Sequence, residues 1–302
     1  MGRLGFIVNA ASGNGRGAKV WAAVERELSA RGVPYDAFRT EASGHATALA
    51  QRMVRERAYD SITAIGGDGT VNEVAAGLLG SGAALGHIGA GSGNDFARAM
   101  GLPSEPGEAV EALVRGERLE IDVGRAGGRV FVNSFGSGFD GEVAARSNGS
   151  PWKRWMNKIG LGAVSYGMIV LAALGAYRPA RVHVALDGRS YDFDNVWLVV
   201  AANLPYLGGG MHICPGASAT DGVMDVCVVH GLGRLRLLRH FPLIYRGAHV
   251  SLPYVTMLRG ERLSLKSDRA LACHVDGETA EPFASELTLV PRGLSLIVPE
   301  RR

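Results

Sequence analysis

Ser61-Ile62-Thr63-Ala64-Ile65 runs without interruption into Gly66-Gly67-Asp68-Gly69-Thr70 and then into Val71-Asn72-Glu73. The first five residues read as a short strand. The stretch after the glycines reads as a helix, with Val71, Val74, Ala75, Leu78 and Leu79 on one face. Between strand and helix, the glycines let the backbone come close to an anion and turn its amides inward, while the helix start adds partial positive charge. Strand, glycine loop, helix is the context an anion-binding loop requires. The aspartate inside it has two readings. Asp68 either caps the helix or holds a divalent cation such as Mg2+, directly or through water.

The same pattern occurs on either side. Residues 4–8 are an apolar run followed by a loop over 9–17 and a helical stretch over 18–30; residues 85–88 lead into Gly89 to Gly93 and a helix beginning near Asn94. Three such units predict a parallel sheet with helices on both faces, a three-layer α/β domain. Ligands of such sheets bind outside the carboxyl ends of the strands, so the three loops are expected to face one crevice. After Asp122 the texture changes. Strand-like runs at 181–187, 191–202, 224–229, 262–266, 271–275, 286–290 and 294–298, without helices between them, predict an antiparallel β-sandwich. Asp187-Gly188 reads as a hairpin turn. The expected division is 1–121 for the α/β domain and 122–290 for the sandwich, with the tail 291–302 free to return to the first.

Composition narrows the classes. Of 302 residues 47% are hydrophobic and 20% charged, which suits globular domains with full cores. A net charge of +3 does not argue for nucleic acid but suits an anionic substrate or a brief visit to an anionic membrane. Cys214, Cys227 and Cys273 form no close pair, which favours a reducing cytoplasm over a disulfide framework and gives no zinc-ligand spacing. The N-terminus lacks a signal-peptide layout. No Gly-x-x-x-x-Gly-Lys-[Ser/Thr] occurs, and Gly13-Asn14-Gly15-Arg16-Gly17 lacks the spacing of a dinucleotide fingerprint.

The ordered motifs resemble the soluble bacterial diacylglycerol kinases, related to sphingosine and ceramide kinases. Gly66-Gly67-Asp68-Gly69-Thr70 with Asn72-Glu73 matches that family's nucleotide loop. Gly91-Ser92-Gly93-Asn94-Asp95-Phe96-Ala97-Arg98 matches a second segment, and Asn9-Ala10-Ala11-Ser12-Gly13 its opening. Thr40 with Gly44-His45-Ala46, Asn133 with Gly136 to Asp140, Gly208 to Gly210, Pro215 with Asp221-Gly222, and Val275-Asp276-Gly277-Glu278 come in the same order. Ala10 and Gly89 stand where the family has prolines, and Ser92 where it has threonine; serine keeps the hydroxyl.

The resemblance implies an N-terminal domain of the NAD kinase and phosphofructokinase type and a C-terminal β-sandwich that takes the lipid, with Mg-ATP in the interdomain cleft. It implies ATP contacts from Asn9, Ser12, Gly13, Thr40, Gly66, Gly67, Asp68, Gly69, Thr70, Val71, Asn72, Ser92, Asn94 and Asp95. It implies Asp276 as general base beside Glu278, and Asp68, Asp95 and Asp122 as an acidic set around the catalytic Mg2+. A structural Mg2+ is implied at Asp221 with the carbonyls of Ser218 and Val223. On residues alone, Asp276-Gly277 is first a hairpin dipeptide; if the stretch is extended, Asp276 and Glu278 share a side. The expected partners are a lipid alcohol and, transiently, a membrane surface; Arg234 to His249 reads first as a solvated, helix-packed face and second as a contact for anionic headgroups, and Lys153-Arg154 between Trp152 and Trp155 is another candidate contact. A homodimer is compatible, and the expected location is cytoplasmic and peripheral to the membrane. Residues 159–177 are uncharged over about a bilayer's span. Four glycines and Ser165 interrupt them, so they read as a buried helix or one lining a lipid-access cleft. NAD kinase, which shares the Gly-Gly-Asp-Gly core, and a non-catalytic lipid-binding regulator are the alternatives.

Overall fold

The computed structural model describes residues 3–56, 59–148, 162–280 and 286–300. Trp152, Lys153, Arg154 and Trp155, and the start of the uncharged run at 159–161, lie outside them. The chain divides into two compact units, Met1–Val123 with Val290–Arg302, and Gly124–Leu289.

The first unit alternates strand and helix: β1 (Leu4–Val8), α1 (Ser12–Ala30), β2 (Tyr35–Arg39), α2 (His45–Glu56), β3 (Ser61–Gly66), α3 (Asp68–Leu78), β4 (Ala84–Gly89), α4 (Asp95–Ala99), α5 (Pro106–Arg115) and β5 (Glu117–Ala126). β2, β1, β3 and β4 pair in parallel in that order. β1 and β3 are buried on both faces, as the unbroken apolar runs require. Phe6 and Val8 pack with Trp21, Val24 and Leu28 of α1 and with Val110 and Leu113 of α5. α1 is helical only from about Arg16, because Gly13, Asn14 and Gly15 all have positive φ.

The second unit holds β6 (Arg129–Phe131), β7 (Ser134–Gly138), α6 (Phe139–Asn148), α7 (Gly162–Ala176), β8 (Ala180–Leu186), β9 (Arg189–Val196) and β10 (Leu198–Ala202). Next come β11 (Tyr206–Leu207), β12 (Met211–His212), β13 (Met224–Val229), α8 (Arg234–His240), β14 (Val255–Gly260), β15 (Arg262–Ser267), β16 (Cys273–Val275), β17 (Glu278–Ala280) and β18 (Glu286–Val298). β14, β13, β10, β7, β16 and β17 form one antiparallel sheet. β18 at Glu286–Thr288, β15, β8 and β9 form a second. Alternation along β10 shows why it is wholly apolar: Val199 and Ala201 enter the core between the sheets, while Leu198, Val200 and Ala202 pack on the other side against Phe139, Ala173 and Leu174. An α/β unit and an antiparallel β-sandwich are therefore both present, with helices covering the sandwich's second face.

Two strand expectations are corrected. Residues 191–202 do not form one strand. Asn195 takes φ 53°, the chain turns, and Trp197 donates its N–H to Val229 O at 2.8 Å, so β9 and β10 lie in different sheets. Conversely, the runs 286–290 and 294–298 are one strand, β18, interrupted by Arg292 at φ 50° and continuing to pair with β4 at Ser295 and Leu296. β5 and β18 each pass from one unit into the other. All three cysteines are free and buried, and burial pushes the Cys227 thiol up to about 12. No described helix is long and apolar enough to cross a membrane.

Candidate active site

In the first unit, loops leave the same ends of the neighbouring strands β1, β3 and β4. Asn9 Nδ2 donates to Thr70 Oγ1 at 3.1 Å, and Ala90 N–H donates to Gly66 O at 2.6 Å. Arg16 reaches from the first loop to the Gly91 carbonyl. A Cβ placed on Gly67 would lie 3.0 Å from Gly91 Cα and 3.5 Å from Ser12 Oγ, so these loops meet backbone to backbone beside Ser12. At Gly91 a Cβ would run into Gly67 Cα outright. Glycine here is a packing requirement.

α3 starts in this cluster. Its N-cap is Gly67, with no side-chain cap, and Thr70 and Val71 return their N–H groups to Gly67 O at 2.9 and 3.1 Å. An uncapped start on an eleven-residue helix, lined by glycine, fits phosphate oxygens. Asp68 is half-buried, and its Oδ1 accepts Phe96 N–H at 2.9 Å, which ties α3 to α4. Behind it lies His87, fully enclosed, with Nδ1 3.1 Å from Ala64 O. Burial pushes its pKa down, with the Asp68 charge opposing, so it is a neutral imidazole near the loop. Asn94 sits at φ 53° and accepts Gly91 N–H at 2.8 Å. A Cβ on Gly89 would lie 3.0 Å from the Asn94 carboxamide, which occupies the space a larger residue there would need.

Asn9, Ser12, Gly13, Gly66, Gly67, Asp68, Thr70 and Asn94 are thus assembled around one set of loops. Val71 is fully buried, so only its backbone could face a ligand. Thr40 comes directly after β2 and donates its N–H to Val8 O at 3.0 Å. The acidic set is not gathered. Asp95 is buried and paired with Arg98 at 2.8 Å, and buried Asp122 accepts Arg292 N–H at 2.8 Å, holding the irregularity in β18. Among the described residues no group of three or more carboxylate, imidazole or thiol side chains could hold a metal. Mg2+ does not require one, since it commonly takes one or two carboxylates together with substrate phosphates. Asp68 fits that mode. A cavity of about 140 Å³, lined by Leu4, Ser61, Leu113 and Ile297 among others, lies at the opposite strand ends and has no part in this arrangement.

In the second unit Asp276 and Gly277 form the two-residue turn between β16 and β17, at φ 47° and 81°, with Val275 opposite Glu278. The stretch is not extended, so the expectation that Asp276 and Glu278 share a side does not hold; Glu278 is exposed on the hairpin. The Asp276 carboxylate accepts three consecutive backbone N–H groups, from Val132 at 2.8 Å, Asn133 at 2.9 Å and Ser134 at 2.7 Å. That fixes its orientation. Below the turn, Gly277 N–H donates to His274 Nδ1 at 3.2 Å, leaving Nε2–H to face Asp140 Oδ2 at 3.1 Å. A Cβ on Gly136 would strike both His274 and Asp140. Asp221 accepts Val223 N–H at 3.2 Å and pairs with Arg259, which also reaches Asp225 at 3.3 Å. Arg259 thus lies on one side of the Asp221 carboxylate, the group at which the resemblance implies a structural Mg2+ with the carbonyls of Ser218 and Val223.

Sequence reading missed three contributors. Arg16 was hidden in a glycine run that matched no fingerprint. Glu73 accepts Gly44 N–H at 2.8 Å and Ala46 N–H at 3.0 Å, holding the start of α2 to α3. His274, next to the Asp276-Gly277 hairpin, supports its turn.

One unit with a glycine-lined, uncapped helix start and another of β-sandwich form make the two-domain plan that lipid kinases and NAD kinases share. The chain matches the family model described as diacylglycerol kinase catalytic domain over residues 3–126, and that described as YegS C-terminal NAD kinase beta sandwich-like domain over 133–298. It is 31% identical to a diacylglycerol kinase of Mycobacterium tuberculosis, covering 99% of this chain and 96% of the relative. It is 28% identical to a diacylglycerol kinase of Bacillus subtilis, covering 100% and 98%. A solved diacylglycerol kinase structure from Bacillus anthracis superimposes with a TM-score of 0.77 at 23% identity, covering 98% of this chain and 96% of that one. The chain belongs to the diacylglycerol kinase family of lipid kinases.

Proposed function

We propose that this protein transfers the γ-phosphate of ATP to the hydroxyl of a lipid alcohol such as diacylglycerol. The observation that carries the nucleotide half is the glycine-lined, uncapped start of α3, tied to its neighbours through Asn9–Thr70 and the Gly67–Gly91 contact. Backbone amides of Gly67, Asp68 and Gly69 at the start of α3 take the phosphates, Ser12 and Ser92 add hydroxyls, and Asp68 would hold Mg2+ together with the phosphate oxygens. Mg2+ bound there supplies neutralisation of the charge that builds on the transferring group.

Asp276 takes the proton of the lipid hydroxyl. Three amide contacts hold it in one orientation, and phosphoryl transfer passes through a loose transition state in which positioning counts for more than a strong base. A rigidly oriented carboxylate suits that demand, and its contribution is about 10²–10⁴ in rate. His274 acts through the turn, as a positioning residue.

The test is incubation of the purified protein with labelled ATP and Mg2+, and with either diacylglycerol in mixed micelles or NAD. Label in the lipid fraction, abolished by chelation and by Asp68→Ala, is the expected result. Label in NADP, or none in any lipid alcohol, would overturn the reading.

A further inference from the structure

Among the described residues only Met168, Leu171, Leu235, Leu238 and Tyr245 are large hydrophobic side chains left exposed, Leu235 at 84%. They come from two distant stretches of chain, α7 and the run from α8 into the 3-10 helix Phe241–Arg246. Those stretches meet. Arg234, at the start of α8, donates to Leu174 O at 3.1 Å and Tyr177 O at 2.8 Å, at the end of α7. The inner sides of both helices, with Ile169, Val170 and Leu237, pack on one core cluster with Trp197 and Leu232. The outer side chains therefore belong to one supported surface.

The charge pattern of the same two stretches is one-sided. From Val143 to Leu186, and again from Val226 to Gly260, there is no Asp or Glu, although the chain has 29 acids in 302 residues. Arg236, Arg239 and Arg246 are exposed among the protruding apolar residues, and no ion pair engages them among the described residues. Exposed leucines interleaved with arginines whose charge is not offset locally match a bilayer interface. There the apolar tips enter the acyl boundary and the guanidinium groups meet anionic headgroups. A neutral protein partner would leave the arginines uncompensated.

We infer that the α7–α8 surface docks this protein on anionic lipid bilayers. The inference needs no turnover and stands apart from the proposed reaction, though a membrane is where a lipid alcohol resides. Each arginine near an anionic surface is worth about fivefold in binding.

The experiment is flotation of the full chain, without nucleotide, with phosphatidylcholine vesicles containing or lacking phosphatidylglycerol. Binding to the anionic vesicles, weakened by salt, is expected. Arg236→Gln/Arg239→Gln should reduce it about twenty-fivefold, and Leu235→Ser/Leu238→Ser by more than about tenfold, both with unchanged melting temperature because these side chains are exposed. Asp68→Ala should float like the parent, which separates this surface from the reaction. No binding to either vesicle, or undiminished binding by both double variants, would overturn the inference. So would a dimer in solution that Leu235→Ser/Leu238→Ser dissociates without altering flotation, since the face would then cover a second copy.

Discussion

Replacing Asp276 tests architecture and chemistry at once, and the two effects separate by substituent. Its carboxylate accepts N–H groups from Val132, Asn133 and Ser134, all three residues buried. Hydrogen bonds to a charged group contribute about 1.5–3 kcal/mol each, and a stranded buried N–H costs about 1–3 kcal/mol. Because the three share one acceptor they do not add fully. Alanine should also dislike φ 47° by about 1 kcal/mol. Asp276→Ala is therefore expected to lose about 4–5 kcal/mol, a large part of a typical folding free energy of about 5–15 kcal/mol. Asparagine tolerates the turn and keeps one oxygen, which can serve Asn133 and Ser134 as Oδ1 does now, but sets an amide against Val132 N–H. Asp276→Asn should lose only about 2 kcal/mol. Urea unfolding with hydrogen exchange read at residues 132–134 measures both. If alanine leaves the unfolding midpoint and the protection of those amides unchanged, the anchoring role is wrong. The asparagine variant, folded and binding ATP normally, then reports on catalysis. Turnover should fall by about 10²–10⁴, and a drop of less than about tenfold would remove Asp276 as the base.

Gly91→Ala should disrupt the loop contact with Gly67, costing about 1–3 kcal/mol and weakening ATP binding by calorimetry. Gly175→Ala on α7, where a Cβ meets nothing within 4 Å, should be neutral or stabilising. His274→Leu removes the partner of the half-buried Asp140 Oδ2 and of the Gly277 N–H, so a loss of about 1–3 kcal/mol in urea unfolding is expected; His274→Gln, which can restore one contact, should recover part of it. Burial holds the pKa values of His87, His230 and His249 below the ordinary imidazole value. The unfolded chain then binds more protons than the native one once the pH drops below about 6.5. Stability should be flat above that pH and fall below it, towards the depressed native values. His87→Phe should flatten the slope in urea midpoints taken between about pH 7 and 5.

Much of the fold was legible because period and punctuation agree. The runs at 4–8 and 61–65 are each followed by a loop containing glycines and then a helical stretch, and β1 and β3 form there. Strand ends were less legible wherever one non-glycine residue takes a left-handed conformation. Asn195 splits the strand-like run 191–202 between two sheets, and Arg292 bends a strand that then resumes. Hydrophobic alternation alone reveals neither, because apolar residues resume directly beyond each turn, at Val196 and at Leu294. At the site, the glycines were readable from their anion-loop context, but their closest partners were not. Gly67 and Gly91 meet across the sheet, and Arg16 crosses to Gly91 from a third loop, pairings that exist only once β1, β3 and β4 are side by side.

The acidic motif residues carry a further lesson about what a motif records. Asp68 receives the Phe96 amide, Glu73 those of Gly44 and Ala46, Asp122 that of Arg292, and Asp276 three in succession. Each carboxylate fastens main chain that is distant in sequence, and each would add to stability whether or not it met a substrate. A buried N–H without a partner is costly, and one ionised acceptor can satisfy two or three of them with stronger bonds than a neutral group gives. An acid in a glycine-rich loop is thus as well explained by main chain in need of an acceptor as by chemistry. Asp68 differs in one physical respect: it is half-buried at an uncapped helix start, where added negative charge from phosphate would demand a cation beside it. Asp95 and Asp122, buried and already serving Arg98 and Arg292, face no such demand. The expected consequence is graded. Asp68→Asn should keep the Phe96 contact and the fold while weakening the Mg2+ dependence of nucleotide binding, whereas Asp122→Ala should lower stability first and nucleotide binding only through it.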